Sequence, residues 1–180
     1  CLLSRGLGDV YKRQASIKQA FGNDGYTKTT AAVSTGLNDN GWATSVLLSK
    51  WQGDGYINNT SGEGYTYFFA LGYAPEDSDH SVNFSFLGAG QWHNQRDVWV
   101  SIRDYQNFGD EGIDRRWNSN GGTLNGQEFS MRRNFYNKPL ATLNWDWDIT
   151  SKLKLATSLY GSAGRGCLLY TSPSPRDKRQ

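Results

Sequence analysis

The chain is 180 residues long and carries 19 Lys and Arg against 17 Asp and Glu, with two Cys and two His. No stretch approaches the ~18 consecutive apolar residues of a membrane-crossing helix, so a helical membrane protein is excluded. A single pair of Cys supports no disulfide framework and no cysteine-based metal centre.

The two ends alter these figures, because they read as non-native. Ser4–Gln14 is SRGLGDVYKRQ and Cys167–Asp177 is CLLYTSPSPRD. With suitable codons, the reverse complement of the first, read from its second base, spells Cys-Leu-Leu-Tyr-Thr-Ser-Pro-Ser-Pro-Arg and then a codon open to Asp. The ends are thus opposite strands of one DNA sequence, which resembles a transposase-type sequencing adapter. Such scars are set aside before fold reasoning. Residues 1–14 and 167–180 are expected to be adapter-derived, and 15–166 to be an internal piece of a longer protein. Without Arg5, Lys12, Arg13, Arg176, Lys178 and Arg179, 13 basic residues remain; without Asp9 and Asp177, 15 acidic ones remain, a formal charge of −2. Both Cys and the basic excess vanish, and with them any case for nucleic acid as a partner.

In chain order, alternation by two dominates. Residues 15–21 read as the tail of a strand. Ala31, Val33, Thr35 and Leu37 then oppose Thr30, Ala32, Ser34 and Gly36; Trp42, Thr44, Val46 and Leu48 oppose Ala43, Ser45, Leu47 and Ser49. Tyr65, Tyr67, Phe69, Leu71 and Tyr73 alternate with Thr66, Phe68, Ala70 and Gly72, and Val82, Phe84 and Phe86 with Asn83 and Ser85. Ala141, Leu143, Trp145, Trp147 and Ile149 alternate with Thr142, Asn144, Asp146 and Asp148, and Leu153, Leu155, Thr157 and Leu159 with Lys154, Ala156, Ser158 and Tyr160. This predicts an all-β antiparallel meander of six or seven strands.

Short turns at Asn38–Asn40, Pro75–His80 and Thr150–Ser151 alternate with long connections at Gly53–Glu63 and about His93–Lys138. Short turns on one rim and long loops on the other are the habit of outer-membrane barrels. Large apolar rows opposite rows of Gly, Ala, Ser, Thr and Asn fit lipid on one face and an aqueous lumen on the other. Strands of about 10–12 residues match the ~9–11 that cross a bilayer at a tilt. Trp42, Tyr73 and Trp147 near the short-turn rim, with Trp51, Tyr65 and Tyr67 near the other, suggest two aromatic girdles. The competing reading is a soluble or secreted β-sandwich that binds glycans.

Four motifs carry a resemblance. STGLNDNGWATSVLLSKWQGDGYINNT (Ser34–Thr60), EGYTYFFALGY (Glu63–Tyr73), GAGQWHNQR (Gly88–Arg96) and RRNFYNKP (Arg132–Pro139) resemble, in order and spacing, the first barrel strands after the plug in TonB-dependent receptors. The resemblance implies a closed barrel of roughly 22 strands around a plug domain, located in the outer membrane and importing an iron chelate, cobalamin or a glycan. The partners it implies are outer-membrane lipid, the receptor's own plug, the inner-membrane TonB complex and the nutrient ligand. Glycan-importing relatives add a surface lipoprotein.

Trp92, His93, Asn94, Gln95 and Arg96, beside Asp97, stand where a strand enters the longest loop, and Arg132 and Arg133 stand where it leaves. They read as a surface contacting ligand or plug, or as a hydrogen-bonded patch fixing loop geometry. His80 lies thirteen residues from His93, roughly 40 Å along a strand, so the two share no ion. Asp104, Asp110, Glu111 and Asp114 lack the spacing of a calcium loop. Arg115, Arg116, Arg132 and Arg133 suit an anionic ligand or lipopolysaccharide phosphate, or are simply solvated. Gly53-Asp54-Gly55 is a turn rather than a phosphate loop. Asp146 and Asp148 share one strand face at a separation that glycosidases use, though lumen-facing acids are the plainer reading. No nucleophile elbow occurs, and no catalytic, metal or cofactor site is expected.

Overall fold

A computed structural model describes residues 13–96, 99–108 and 114–170, the last three as backbone only. The strands are β1 (Arg13–Phe21), β2 (Thr27–Thr35), β3 (Trp42–Gly53), β4 (Gly62–Tyr73), β5 (His80–Asn94), β6 (Gly121–Leu124), β7 (Gln127–Ser130), β8 (Arg132–Asn137), β9 (Leu140–Thr150), β10 (Leu153–Ser162) and β11 (Arg165–Tyr170). One short helix, α1 (Ile102–Asn107), lies between β5 and β6.

All pairings are antiparallel, and β1 to β5 follow one another as a meander. β5 then meets two strands end to end: β9 along its first half and β8 along its last four residues. Leu87 pairs with Leu140 and Gln91 with Tyr136, so three residues lie between the two pairs on either side and the register is unbroken. β8 and β9 are therefore one sheet strand, interrupted at Lys138-Pro139. Proline has no N–H to give to a ladder. β10 and β11 run beside them with the same continuity, Ser162 against Leu140 and Arg165 against Asn137. The sheet is thus seven strands wide. Its margins, β1 and the β10–β11 row, do not meet each other, so the sheet is open.

The short turns are built as their residues require. Asn38 Oδ1 accepts from the backbone N–H groups of Asn40 (3.0 Å) and Trp42 (2.8 Å), the side-chain mimicry that makes Asn a turn former. Gly41 follows at φ 78° and packs on the backbone of Pro75, where a Cβ would come within 2.5 Å. Its carbonyl accepts from Ala74 N–H at 2.7 Å, so neighbouring turns on this rim are stitched together.

The two faces differ as alternation predicts. One bears cross-strand hydroxyl pairs at register positions: Thr30 with Ser49 (2.8 Å), Ser34 with Ser45 (2.9 Å) and Ser85 with Thr142 (2.5 Å). The other bears rings: Trp42 on Tyr73 (4.6 Å between centroids), Phe69 on Phe84 (6.4 Å), and Trp145 stacked beside Trp147 (6.1 Å). Such pairs contribute about 0.2–1 kcal/mol each. The only buried apolar residues among those described are Ala43 and Ala70, at 3% exposure each. Among the described residues no second layer covers the ring-bearing face, and Leu48 on it is 58% exposed.

Three expectations need correction, while the mostly small face keeps large residues at a few positions. Leu47, Phe68, Leu87 and Leu140 are consecutive register partners and draw an apolar stripe across it. Trp51 does not join the ring-bearing face. It is paired with Gly64, and its indole occupies the space a Cβ there would need. Connections on the second rim are not all long, since β1 and β2 are joined by only residues 22–26. Finally, the strand leaving the longest loop begins at Arg132, because β5 extends to Asn94 and offers it a partner.

Candidate functional site: the long-loop rim

Three connections meet on this rim: residues 22–26, 54–61 and the long excursion from 95 to 131. The described parts of the excursion, residues 99–108 and 114–131, carry regular structure. α1 starts with a capping box, Ser101 Oγ accepting from Asp104 N–H and the Asp104 carboxylate accepting from Ser101 N–H. Phe108 stacks on Trp117 at 5.3 Å and Tyr105 meets the same ring edge-on at 5.7 Å. β6 and β7 form a hairpin whose turn, Asn125-Gly126, has both residues at positive φ (53° and 79°). Asn-Gly is the strongest short hairpin signal, and it stood in the sequence unread.

Asparagines weld the excursion to its neighbours. Asn118 and Asn120 are 3% and 5% exposed. Asn118 Nδ2 donates to the Asn58 carbonyl at 3.0 Å, Asn58 N–H to the Arg116 carbonyl at 2.8 Å, and Asn59 Nδ2 to the Gly122 carbonyl at 3.3 Å. Asn120 Nδ2 reaches the Gln95 carbonyl at 3.3 Å. A buried amide with its bonds made rigidifies a loop as effectively as apolar packing. Arg116 adds a third tie. Its guanidinium sits 2.9 Å from Asp24 in the β1–β2 turn and 4.7 Å above the Tyr56 ring. It is half exposed but already paired, which makes it a tie between loops rather than an open anion site. Asp104 and Asp114 are likewise committed, the first to the helix cap and the second to Arg116 N–H (2.8 Å) and Asn58 Nδ2 (3.3 Å). Asp97, Asp110 and Glu111 lie outside the described residues.

The seven residues singled out in the sequence are brought together by the β5–β8 pairing. Trp92 stands opposite Phe135, His93 opposite Asn134 and Asn94 opposite Arg133, while Gln95 N–H donates to the Arg132 carbonyl at 2.9 Å. Period two then divides them. Trp92, Asn94 and Arg133 share the ring-bearing face, with Arg133 4.3 Å over the Trp92 ring and its Nε donating to Asn94 Oδ1 at 3.0 Å. Trp92 Nε1 in turn donates to Glu63 Oε1 at 3.0 Å. His93 belongs to the small face, packed on Gly62, with Gln91 beside it donating to the Tyr136 hydroxyl at 2.5 Å. Gln95 and Arg132 follow at the edge of the same face, and Arg96 stacks on Tyr105 in the excursion at 5.2 Å. A run read as one patch is therefore two, back to back.

His80, at the other end of β5, accepts from Trp145 Nε1 at 3.3 Å and lies 5.3 Å from the Trp147 ring. Asp148, one of the paired acids, faces Lys154 at 2.9 Å. Among the described residues no three His, Cys, Asp or Glu gather as a metal site. No family model, no curated protein and no solved structure matches this chain.

Proposed function

We propose that residues 15–166 are part of the wall of an outer-membrane β-barrel, specifically of a TonB-dependent receptor importing an iron chelate, cobalamin or a glycan. The observation that carries this reading is the uncovered ring-bearing face, opposite a face of paired hydroxyls, on an open sheet. An exposed apolar surface of this extent needs lipid or another layer, and open edges in hydrocarbon need further strands.

The spacing of the rings supports lipid. Trp42, Tyr73 and Trp147 cluster at the short-turn end, and Tyr65, Trp92 and Phe135 at the other. From Tyr73 to Tyr65 is about 27 Å of strand, or roughly 20 Å at the tilt of such barrels, near the height of their apolar band. The stripe Leu47–Phe68–Leu87–Leu140 would give a plug domain something to pack on inside. His93, Gln95 and Arg132, on the inner face at the outer rim, are the ligand-or-plug contacts this reading retains. Trp92, Asn94 and Arg133 face the membrane instead.

The test uses the complete gene product. Single-cysteine variants F69C and D146C, fluorescently labelled in reconstituted vesicles, should respond oppositely: position 69 quenched by brominated lipid, position 146, exposed on the opposite face, by a water-soluble quencher. The protein should also migrate faster on gels unheated than boiled. A water-soluble product with position 69 shielded from both quenchers would establish the sandwich reading instead.

A further inference from the structure

We propose that the fold directs spontaneous deamidation to one residue, Asn125 at the tip of the β6–β7 hairpin, and shields the two other asparagines that precede glycine. The inference does not depend on the barrel reading. Asn-Gly occurs at Asn40-Gly41, Asn120-Gly121 and Asn125-Gly126. In this dipeptide the glycine nitrogen has no Cβ beside it to hinder approach, so once deprotonated it can attack the asparagine Cγ. The new N–Cγ bond replaces Cγ–Nδ2, and ammonia leaves with a proton from water. Water then opens the cyclic imide at either carbonyl, giving aspartate or isoaspartate; nothing is oxidised or reduced. The reaction needs a free glycine N–H, a side-chain amide that can swing towards it and a backbone that can turn.

Two of the sites fail these conditions. Gly41 N–H donates to the Asn38 carbonyl at 2.8 Å, and Gly41 is buried against the backbone of Pro75. Asn120 is 5% exposed, its Nδ2 donates to the Gln95 carbonyl at 3.3 Å, and Gly121 N–H donates to the Asn118 carbonyl at 3.0 Å. Asn125 differs on every count. Residues 122–128 are all exposed, and among the described residues none accepts from the Gly126 N–H or holds the Asn125 amide. A Cβ placed on Gly126 meets nothing within 4 Å. β6 and β7 pair only with each other, over four residues each. A ladder of two short strands is marginal by itself and opens readily. Isoaspartate would add a backbone methylene and a negative charge to a turn held at φ 53° and 79°, so the pairing of Leu124 with Gln127 would not survive it. The buried Asn118 and Asn120 keep their amides and their bonds. The tip of the hairpin loosens with age while its base holds.

The experiment follows the full-length protein, folded in detergent and unfolded in denaturant, in one mildly alkaline buffer. Peptide mass mapping, with fragmentation that separates Asn120 from Asn125, gives the conversion rate at each site, and enzymatic methylation counts isoaspartate. Unfolded, the sites should convert at similar rates. Folded, Asn40 and Asn120 should lag Asn125 by about tenfold, the worth of one held hydrogen bond. N125Q should remove most of the methyl-accepting signal of the folded protein. Aged wild type should be cut by protease within residues 121–130 faster than fresh protein or aged N125Q. Equal rates in the folded protein, an Asn125 that lags, or the same excess at Asn125 in the unfolded chain overturns the proposal. So does a methyl-accepting signal that N125Q leaves unchanged. Unchanged cleavage of the aged protein overturns the loosening of the tip.

Discussion

Arg116 illustrates how little a residue's type says about its task. In the sequence it is one of two adjacent arginines in a loop; in the structure it bridges Asp24 and the Tyr56 ring across two other connections. Its side chain is about half exposed, so the ion pair contributes well under about 1 kcal/mol to global stability. The effect belongs to the loop. R116A should leave the unfolding midpoint nearly unchanged while limited proteolysis between residues 95 and 131 accelerates several-fold. An unchanged cleavage rate would show that the asparagine bonds suffice without it. Asn58, Asn118 and Asn120 were invisible as a group because hydrogen bonds between residues some sixty apart leave no periodic trace.

At the scale of the element, Pro139 decides more than its neighbours do. It splits one sheet strand into β8 and β9 without shifting the register, and its carbonyl accepts from Ala163 N–H at 3.4 Å while it returns no donor. P139V supplies that donor toward the Ala163 carbonyl. The two halves should then fuse, with a gain of about 1 kcal/mol and slower amide exchange through residues 161–165. Exchange no slower than wild type would mean that backbone bending, rather than the missing N–H, opens the gap. Strand parity was legible throughout: the rows read from 30 to 160 face as the alternation requires. What parity left unread was its own consequence at 92–96, where consecutive residues must part to opposite faces. The β5–β8 pairing that decides this joins residues about forty positions apart.

Among the described residues the molecule is a seven-strand sheet whose margins do not meet and whose ring-bearing face carries no second layer. Ordinary globular stability comes from burying apolar area at about 25 cal/mol per Å², and here the only buried apolar side chains described are two alanines. The 15–166 segment expressed alone should therefore aggregate in buffer and dissolve only with detergent. A monomeric, cooperatively unfolding segment in buffer would contradict that. The ends make a prediction of their own. Amplifying the locus from genomic DNA should yield a reading frame that departs from this one near residues 14 and 167. Backbone pairing gives no reason to think otherwise, since β11 continues through Cys167–Tyr170 on hydrogen bonds that any sequence can make.

By itself the amino-acid order determined the all-β class, the number of strand rows, the unequal faces and the rim that carries the long excursion. Each follows from local alternation and turn chemistry, which act over two to six residues. Only tertiary structure decided that β8 and β9 are one strand, that Trp51 turns inward, and that an apolar stripe crosses the hydroxyl face. Those depend on register between strands far apart in the chain. Register is fixed by the summed packing of a whole face and not by any short run of residues.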